Sequence, residues 1–338
     1  MQSIRRAVID VGTNSIKLLV ADIAGHDIRP VTEASRQTRL GHGFYQTHRL
    51  QPGPIANTAK AVAGFADKAR ECQAATIRVI ATSAARDAVN PHDLTSAIEQ
   101  AAGLNVEIIS GDREAELAFQ GVTTDPLLAQ TPLLLVDIGG GSTEFILGAG
   151  EHKHFRESFA LGTVRLMEKI PHSNPPEPGE LAACRQWLKD FLEQTVRPRL
   201  EPALHREAAT LSTNNSPTPP SAHTPQPATI SSLIQLVGVG GTASILAGME
   251  AKLEQFDRER MEATRLPFGR LRWHVDRLWG LSLKEREEIV GLPTNRADVI
   301  LTGTVIYEAV MEQLGIAELR ISTRGLRFAA VMDEPKKS

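Results

Sequence analysis

Two aspartates, Asp10 and Asp137, stand at equivalent places in two related stretches of chain, AVIDVGTNSIKLLV (7–20) and LLVDIGGGSTEFIL (134–147). In each, an apolar strand ends at the Asp, a turn of small residues follows, and a second apolar strand begins. The first turn supplies Gly12, Thr13, Asn14 and Ser15. Their backbone N–H groups, two hydroxyls and an amide form a donor set suited to phosphate oxygens. The same loop would also serve as a plain hairpin turn whose side chains satisfy their own backbone. The second turn is Gly139, Gly140, Gly141, Ser142 and Thr143. Three consecutive glycines are entropically costly unless something approaches the backbone closely, which favours a ligand there. A carboxylate on an otherwise apolar strand is costly unless it is hydrated or paired with a cation. Facing each other across a cleft, Asp10 and Asp137 would hold a hydrated Mg²⁺, an ion that takes one or two protein carboxylates alongside substrate phosphates. Two Asx turns at strand ends are the alternative.

An internal repeat of this kind implies two half-domains, each offering one loop and one carboxylate to a shared cleft. The elements between the repeats alternate β and α. Ile55, Ala59, Val62, Ala63, Ala66 and Ala69 recur at helical spacing and predict a helix over 55–72. A strand over 77–81, a turn over 82–86, a helix over 92–102, a strand over 106–109 and a helix over 112–121 follow, the mark of a layered α/β domain. After the second repeat come a strand over 155–161, a helix over 162–169, a long helix over 180–200 and a strand over 234–237. A third glycine turn, GVGGT (238–242), then opens a helix over 243–254. Gly240, Gly241 and Thr242 thus lie at a helix N-terminus, where an anion is welcome. A helix over 297–314, a strand over 318–322 and a helix over 325–332 close the chain. The segment 211–229 is rich in Pro, Ser and Thr and nearly uncharged. It is expected to be a disordered surface insertion; the strand that resumes directly after it favours insertion over an interdomain linker.

Composition excludes several classes. The 338 residues, 41% of them hydrophobic, suffice for one large or two ordinary domains, and the net charge of -3 argues against a general nucleic-acid binder. Cys72 and Cys184 are far apart in sequence, so neither a disulfide scaffold nor a thiolate metal site is expected. No secretory leader and no run of roughly 20 apolar residues is present, and a cytoplasmic protein is expected. Arg265, Arg270, Arg272, His274 and Arg277 would line a polyanion path, but Glu262 and Asp276 interleave with them, and a solvated mixed helix face is the favoured reading. His152 and His154 read as surface residues at a hairpin tip.

The segments DVGTNS (10–15), ATSAARDA (81–88), SGDREA (110–115), DIGGGSTE (137–144), GVGGT (238–242) and RGLR (324–327) occur in the order seen in the exopolyphosphatase and guanosine pentaphosphate phosphohydrolase (Ppx/GppA) family. The chain resembles that family over nearly its whole length. The resemblance implies two RNase H-like α/β domains of the actin-like ATPase type, mixed sheets flanked by helices facing each other across a cleft. The first would span 1–124, completed by about 318–338, and the second 125–317. The chain ends soon after RGLR, so the short two-domain form is expected.

The resemblance also assigns roles. A Glu in the first turn of a helix is ordinarily a surface residue favoured by the helix dipole, yet the Glu before Ala in S-G-x-x-E-A is the family's catalytic base, which here is Glu114. The family often carries an acidic residue where this chain has Arg113. Mg²⁺ would sit near Asp137, Glu144 and Asp10; Arg86 would add a bidentate phosphate contact, and Lys17 would lie near phosphate. Lys17 and Glu144 occupy equivalent positions of the repeat with opposite charge. The activity implied is Mg²⁺-assisted release of orthophosphate from inorganic polyphosphate, with 5′-phosphohydrolysis of guanosine pentaphosphate as the runner-up, and a homodimer as the assembly. A small-molecule kinase of the same superfamily, or a regulatory protein that binds alarmones, is the different-class alternative; Glu114 in its SGDREA setting favours water activation over both.

Overall fold

The computed structural model describes residues 3–214 and 233–333. Two mixed sheets form, each built around a copy of the repeat. The first has the order β3-β2-β1-β4-β5, from strands β1 (Ile4–Val11), β2 (Ser15–Ala24), β3 (Asp27–Gln37), β4 (Thr76–Ala81) and β5 (Val106–Ile108). The second runs β10-β11-β9-β6-β7-β8, from β6 (Leu133–Ile138), β7 (Thr143–Ala149), β8 (His152–Phe159), β9 (Gln235–Val239), β10 (Arg265–Pro267) and β11 (Glu318–Ile321). In both, the strand ending in Asp is central. It pairs antiparallel with its hairpin partner on one side and parallel with a later strand on the other.

Central strands buried on two faces must be apolar throughout. Ala7, Ile9 and Val11 of β1 pack with the helices Pro52–Glu71 and Pro91–Ala102, while Val8 faces the helix Leu326–Ala330. In β6, Leu134, Val136 and Ile138 join the large core of the second lobe. Leu133 and Leu135 of β6 meet the helix Gly111–Val122 on the other face. That helix is the seam of the molecule. Its Ala115, Ala118 and Phe119 pack on the second sheet, and its Leu117 packs with Val8, Leu19 and Ile80 of the first.

Three expectations are corrected. The strand Glu318–Ile321 pairs parallel with β9 and belongs to the second sheet, not the first domain. Its Leu319 and Ile321 are wholly apolar and fill the second lobe's core; only the helix Leu326–Ala330 returns to the first lobe. The expected helix over 180–200 is longer, running as Pro178–Phe191, a π turn Leu192–Val196 and Arg197–Asn214. The π turn falls where Pro198 offers no N–H to the carbonyl of Gln194. Residues 211–214, expected in the insertion, therefore finish a helix, with Leu211 packed against the core; 215–229 lie outside the described residues. No helix among the described residues is long and apolar enough to cross a membrane.

The seam helix crosses the RGLR segment so closely that a methyl group on Gly121 would overlap the carbonyl oxygen of Gly325. Backbone cannot yield as a side chain does. Gly121→Ala is expected to lower unfolding free energy by about 1–3 kcal/mol, read from the midpoint of chemical denaturation; an unchanged midpoint would show the crossing to be loose.

Candidate active site

The two hairpins superimpose residue for residue in register. Asp10 pairs with Lys17 across β1 and β2, and Asp137 pairs with Glu144 across β6 and β7. Each turn closes the same way: the Gly12 amide donates to the Ser15 carbonyl at 3.1 Å, and the Gly139 amide to the Ser142 carbonyl at 2.9 Å. The turns face each other across a cavity of about 100 Å³ between the lobes. Its wall contains Asp10, the stretch 12–15, Lys17, Glu114, Asp137 and the stretch 139–142, together with Gly240, Gly241 and Thr242 from the start of the helix Gly240–Glu250.

Glu114 reaches the cavity because Ser110 caps its helix, the Ser110 hydroxyl accepting from the Arg113 amide at 3.2 Å. The Arg86 guanidinium donates to Glu114 at 2.8 Å. Burial nevertheless pushes the Glu114 carboxyl up to about 7, against the pull of Arg86. Burial likewise pushes Asp137 up to about 6, with Lys17 opposing and Asp10 adding to the rise. Asp10 is raised and Lys17 lowered, both first by burial. Buried carboxylates are thus gathered faster than cations at this point, which is the arrangement expected where a cation or a proton completes the site.

Three of the expected residues do not line the cavity. Arg86 donates from Nη1 to Glu114 and to the Ile109 carbonyl and stands outside the cavity wall. The Thr143 side chain is buried and donates to the Leu161 carbonyl at 2.6 Å. Glu144 lies 1% exposed behind the loop, accepting from the Ser158 hydroxyl at 2.7 Å; burial and the nearby Glu114 and Asp137 hold its pKa well above the usual range. Among the described residues no three His, Cys, Asp or Glu side chains gather where a metal ion could be held. Of the three acids expected near a metal ion, Asp10 and Asp137 line the cavity and Glu144 does not.

Sequence reasoning missed Ser83, Thr82, Thr163 and Arg296, all in the cavity wall. Ser83 is 2% exposed with its hydroxyl unpartnered, and the Asn14 amide nitrogen is buried and unpartnered too; unsatisfied donors at a cavity wall point to an acceptor-rich ligand. The Ser83 signal was present, since it stands in the same ATSAARDA segment as Arg86. Arg296, which donates to the Ser15 hydroxyl at 2.6 Å, sits in a charged stretch with no periodic signal. The triple glycine lines the cavity and also meets the opposite lobe at close range. A Cβ on Gly140 would come 2.8 Å from Thr13 Cβ, and one on Gly141 2.5 Å from Ser83 Oγ, so the close approach is that of the opposite lobe.

The basic stretch after Glu262 is spent on local ion pairs: Arg270 and His274 on Glu250, and Arg272 on Glu308 and Glu312. His154 pairs with Glu207. A second cavity, of about 590 Å³, adjoins the first. It shares Asp10, Lys17, Asp137 and Arg296 with the first and is walled further out by Leu253, Phe256, Met261 and Leu292.

Two mixed sheets flanked by helices, closing paired hairpin loops over buried carboxylates, form the two-domain actin-like ATPase fold. Within it, the chain belongs to the Ppx/GppA phosphatase family, which residues 19–337 match. Exopolyphosphatase 2 of Mycobacterium tuberculosis is 34% identical over 332 residues, 94% of each chain. Exopolyphosphatase 1 of Mycobacterium bovis is 27% identical over 97% of this chain and 87% of its own. The solved PPX-GPPA enzyme of Aquifex aeolicus superimposes with a TM-score of 0.72 at 26% identity, covering 98% of this chain and all of its own. A solved exopolyphosphatase-like protein gives a TM-score of 0.82 at 25% identity over 98% and 97% of the two chains. The chain is an enzyme of this phosphatase family.

Gly240 adopts a φ of +92°, and a Cβ there would lie 2.5 Å from Asp137 Oδ1. Gly240→Ala is expected to displace the carboxylate and add backbone strain of about 1–3 kcal/mol. Phosphate release should collapse with only a moderate fall in melting temperature; retained turnover would show that Asp137 tolerates the shift.

Proposed function

We propose that the chain is an exopolyphosphatase, releasing orthophosphate from the end of inorganic polyphosphate with the help of Mg²⁺. The observation that carries this reading is Glu114, a carboxyl held near neutrality on the wall of a small cavity lined by two phosphate-type loops. A general base is most effective with a pKa near the working pH. The names of the similar exopolyphosphatases support the substrate class.

The terminal phosphate fits between the turns, where the backbone N–H groups, Asn14 and Ser83 supply donors to its equatorial oxygens. Glu114 orients a water in line with the bond to be broken and accepts its proton. The water oxygen forms the new bond to phosphorus, and the bridging oxygen leaves with the electron pair on the shortened chain. Asp10 and Asp137 are the residues that would hold Mg²⁺, whose chemistry there is to offset charge on the phosphate oxygens. Lys17, which lines both cavities and feels the charges of Asp10 and Asp137, is the cation that would meet the phosphate oxygens there.

The second cavity supports the alternative substrate, guanosine pentaphosphate. Its volume and apolar walls suit a nucleoside placed beyond the phosphates, with the same reaction at the terminal phosphate.

Glu114→Gln is expected to lower kcat by about 100- to 10,000-fold in orthophosphate release from polyphosphate and from guanosine pentaphosphate, with melting temperature preserved. Full turnover by this variant would refute the base assignment. The ratio of wild-type kcat/KM for the two substrates decides between the readings.

The acids make a second test. Folded Glu114 and Asp137 titrate near 7 and 6, above their ordinary 4.5 and 3.8, so the folded state binds more protons than the unfolded one in that window. Metal-free stability should therefore fall as pH rises from about 4 to about 7 and level off above it. Mg²⁺ binds the ionised pair, so it should raise the melting temperature more at about pH 8 than at about pH 5. Asp137→Asn should flatten the slope and abolish the Mg²⁺ increment; an equal Mg²⁺ effect in wild type and variant would place the ion elsewhere.

A further inference from the structure

A chain of alternating charge runs from one lobe to the base in the other. Arg165, on the helix Thr163–Lys169 of the second lobe, donates from Nη2 to Asp87 Oδ2 of the first at 2.9 Å. Asp87 Oδ1 lies 3.7 Å from Arg86 Nε, and Arg86 Nη1 donates to Glu114 at 2.8 Å. The same Arg165 donates from Nε to the Gly141 carbonyl at 2.7 Å and lies 4.2 Å over the Tyr45 ring. Its neighbour Glu168 accepts the amides of Gly43 at 2.9 Å and Tyr45 at 3.2 Å. One guanidinium therefore touches the second phosphate loop, the first-lobe loop that packs on it and the carboxylate beside Arg86.

We propose that Arg165 and Asp87 are positioning residues that set the orientation of Arg86, and through it the aim of Glu114, from across the seam between the lobes. The proposal rests on Glu114 being the base. Neither residue lines the catalytic cavity, so neither touches the reacting atoms. Arg86 Nη1 is held by hydrogen bonds to Glu114 and the Ile109 carbonyl, while the Asp87 carboxylate, 3.7 Å from Nε, acts on the other edge of the guanidinium through its charge. Removing Asp87, or the Arg165 that holds Asp87, leaves Arg86 anchored at one side only. The carbonyl of Gly141 also loses its donor when Arg165 goes, so the phosphate loop and the base lose a common reference point. A contact serving only to hold the lobes together would move stability and substrate affinity, not the chemical step at saturation.

The test is a double-mutant cycle read in kcat with short-chain polyphosphate, with Glu114→Gln and wild type as controls. Arg165→Gln and Asp87→Asn are each expected to lower kcat by about tenfold with KM changed less than about twofold, and the double variant to be no slower than the slower single. Arg165→Lys should recover part of the loss through its charge on Asp87. Additive losses in the double variant, a rise in KM at unchanged kcat, or losses that track melting temperature would overturn the proposal. Should Arg165→Gln fail to fold, Arg165→Lys against Asp87→Asn completes the cycle. An active Glu114→Gln would sink the reading of the base itself, whereas an inactive Glu114→Gln beside fully active Arg165→Gln and Asp87→Asn would sink only the inference.

Discussion

The electrostatics of the cleft hang on one inversion within a repeated hairpin. The position across from the aspartate is Lys17 in the first copy and Glu144 in the second. Asp10 therefore has a cation built into its own hairpin, and Asp137 has another acid. Burial raises both aspartates, and Asp10 adds to the rise at Asp137 while Lys17 opposes it. Glu144, sealed behind the loop and near Glu114 and Asp137, is driven by burial and by those acids toward its neutral form. A protein that buries acids in this proportion stores a demand for positive charge, and the demand is directed at the point where the two phosphate loops meet.

The seam helix turns that electrostatic constraint into geometry. Its faces belong to different lobes, with Leu117 in the first core and Ala115, Ala118 and Phe119 against the second sheet. Glu114 stands in the first turn after its capped start, so its carboxyl is positioned by both lobes at once. The tight crossing of Gly121 and Gly325 fixes the far end of the same helix. Small residues along it, Ala115, Ala118 and Gly121, let two sheets approach one helix from opposite sides.

Much of this was legible in the sequence because the repeat carries its own register. Asp10 opposite Lys17 and Asp137 opposite Glu144 follow from counting along two hairpins, and the β-to-α alternation located nearly every element that brings them together. What failed was whatever depends on which partner a side chain finds. The partners of Arg86 cannot be read from sequence; only the fold shows its Nη1 donating to the Ile109 carbonyl and Glu114. Thr143 and Ser142 are adjacent, yet strand alternation sends one inward to Leu161 and the other to the cavity. The family resemblance places the strand Glu318–Ile321 with the first domain, whereas sheet membership is decided by long-range pairing with β9. The triple glycine was read correctly as a mark of close approach, but sequence cannot say that Thr13 and Ser83 are what approaches.

The two cavities divide chemistry from selection. The small one takes most of its wall from the repeat, the seam helix and the third glycine turn, which carry sequence signatures, and the rest from residues such as Thr82, Ser83, Thr163 and Arg296. The larger one takes its outer walls from Leu253, Phe256, Met261 and Leu292, in a stretch of short helices and turns with little regular periodicity. Hydrolysis of a terminal phosphoanhydride needs only the first, since the reacting phosphate, the water and the base all lie there under the proposed mechanism. Whatever hangs from that phosphate leaves past Lys17 and Arg296 into the second. A linear polyanion asks that room for charge and water; a nucleoside asks it for apolar surface, and Phe256 at 57% exposure is the large hydrophobic side chain at its rim. Under the proposed mechanism substrate choice falls to residues outside the hairpins, and they can change without disturbing the paired turns.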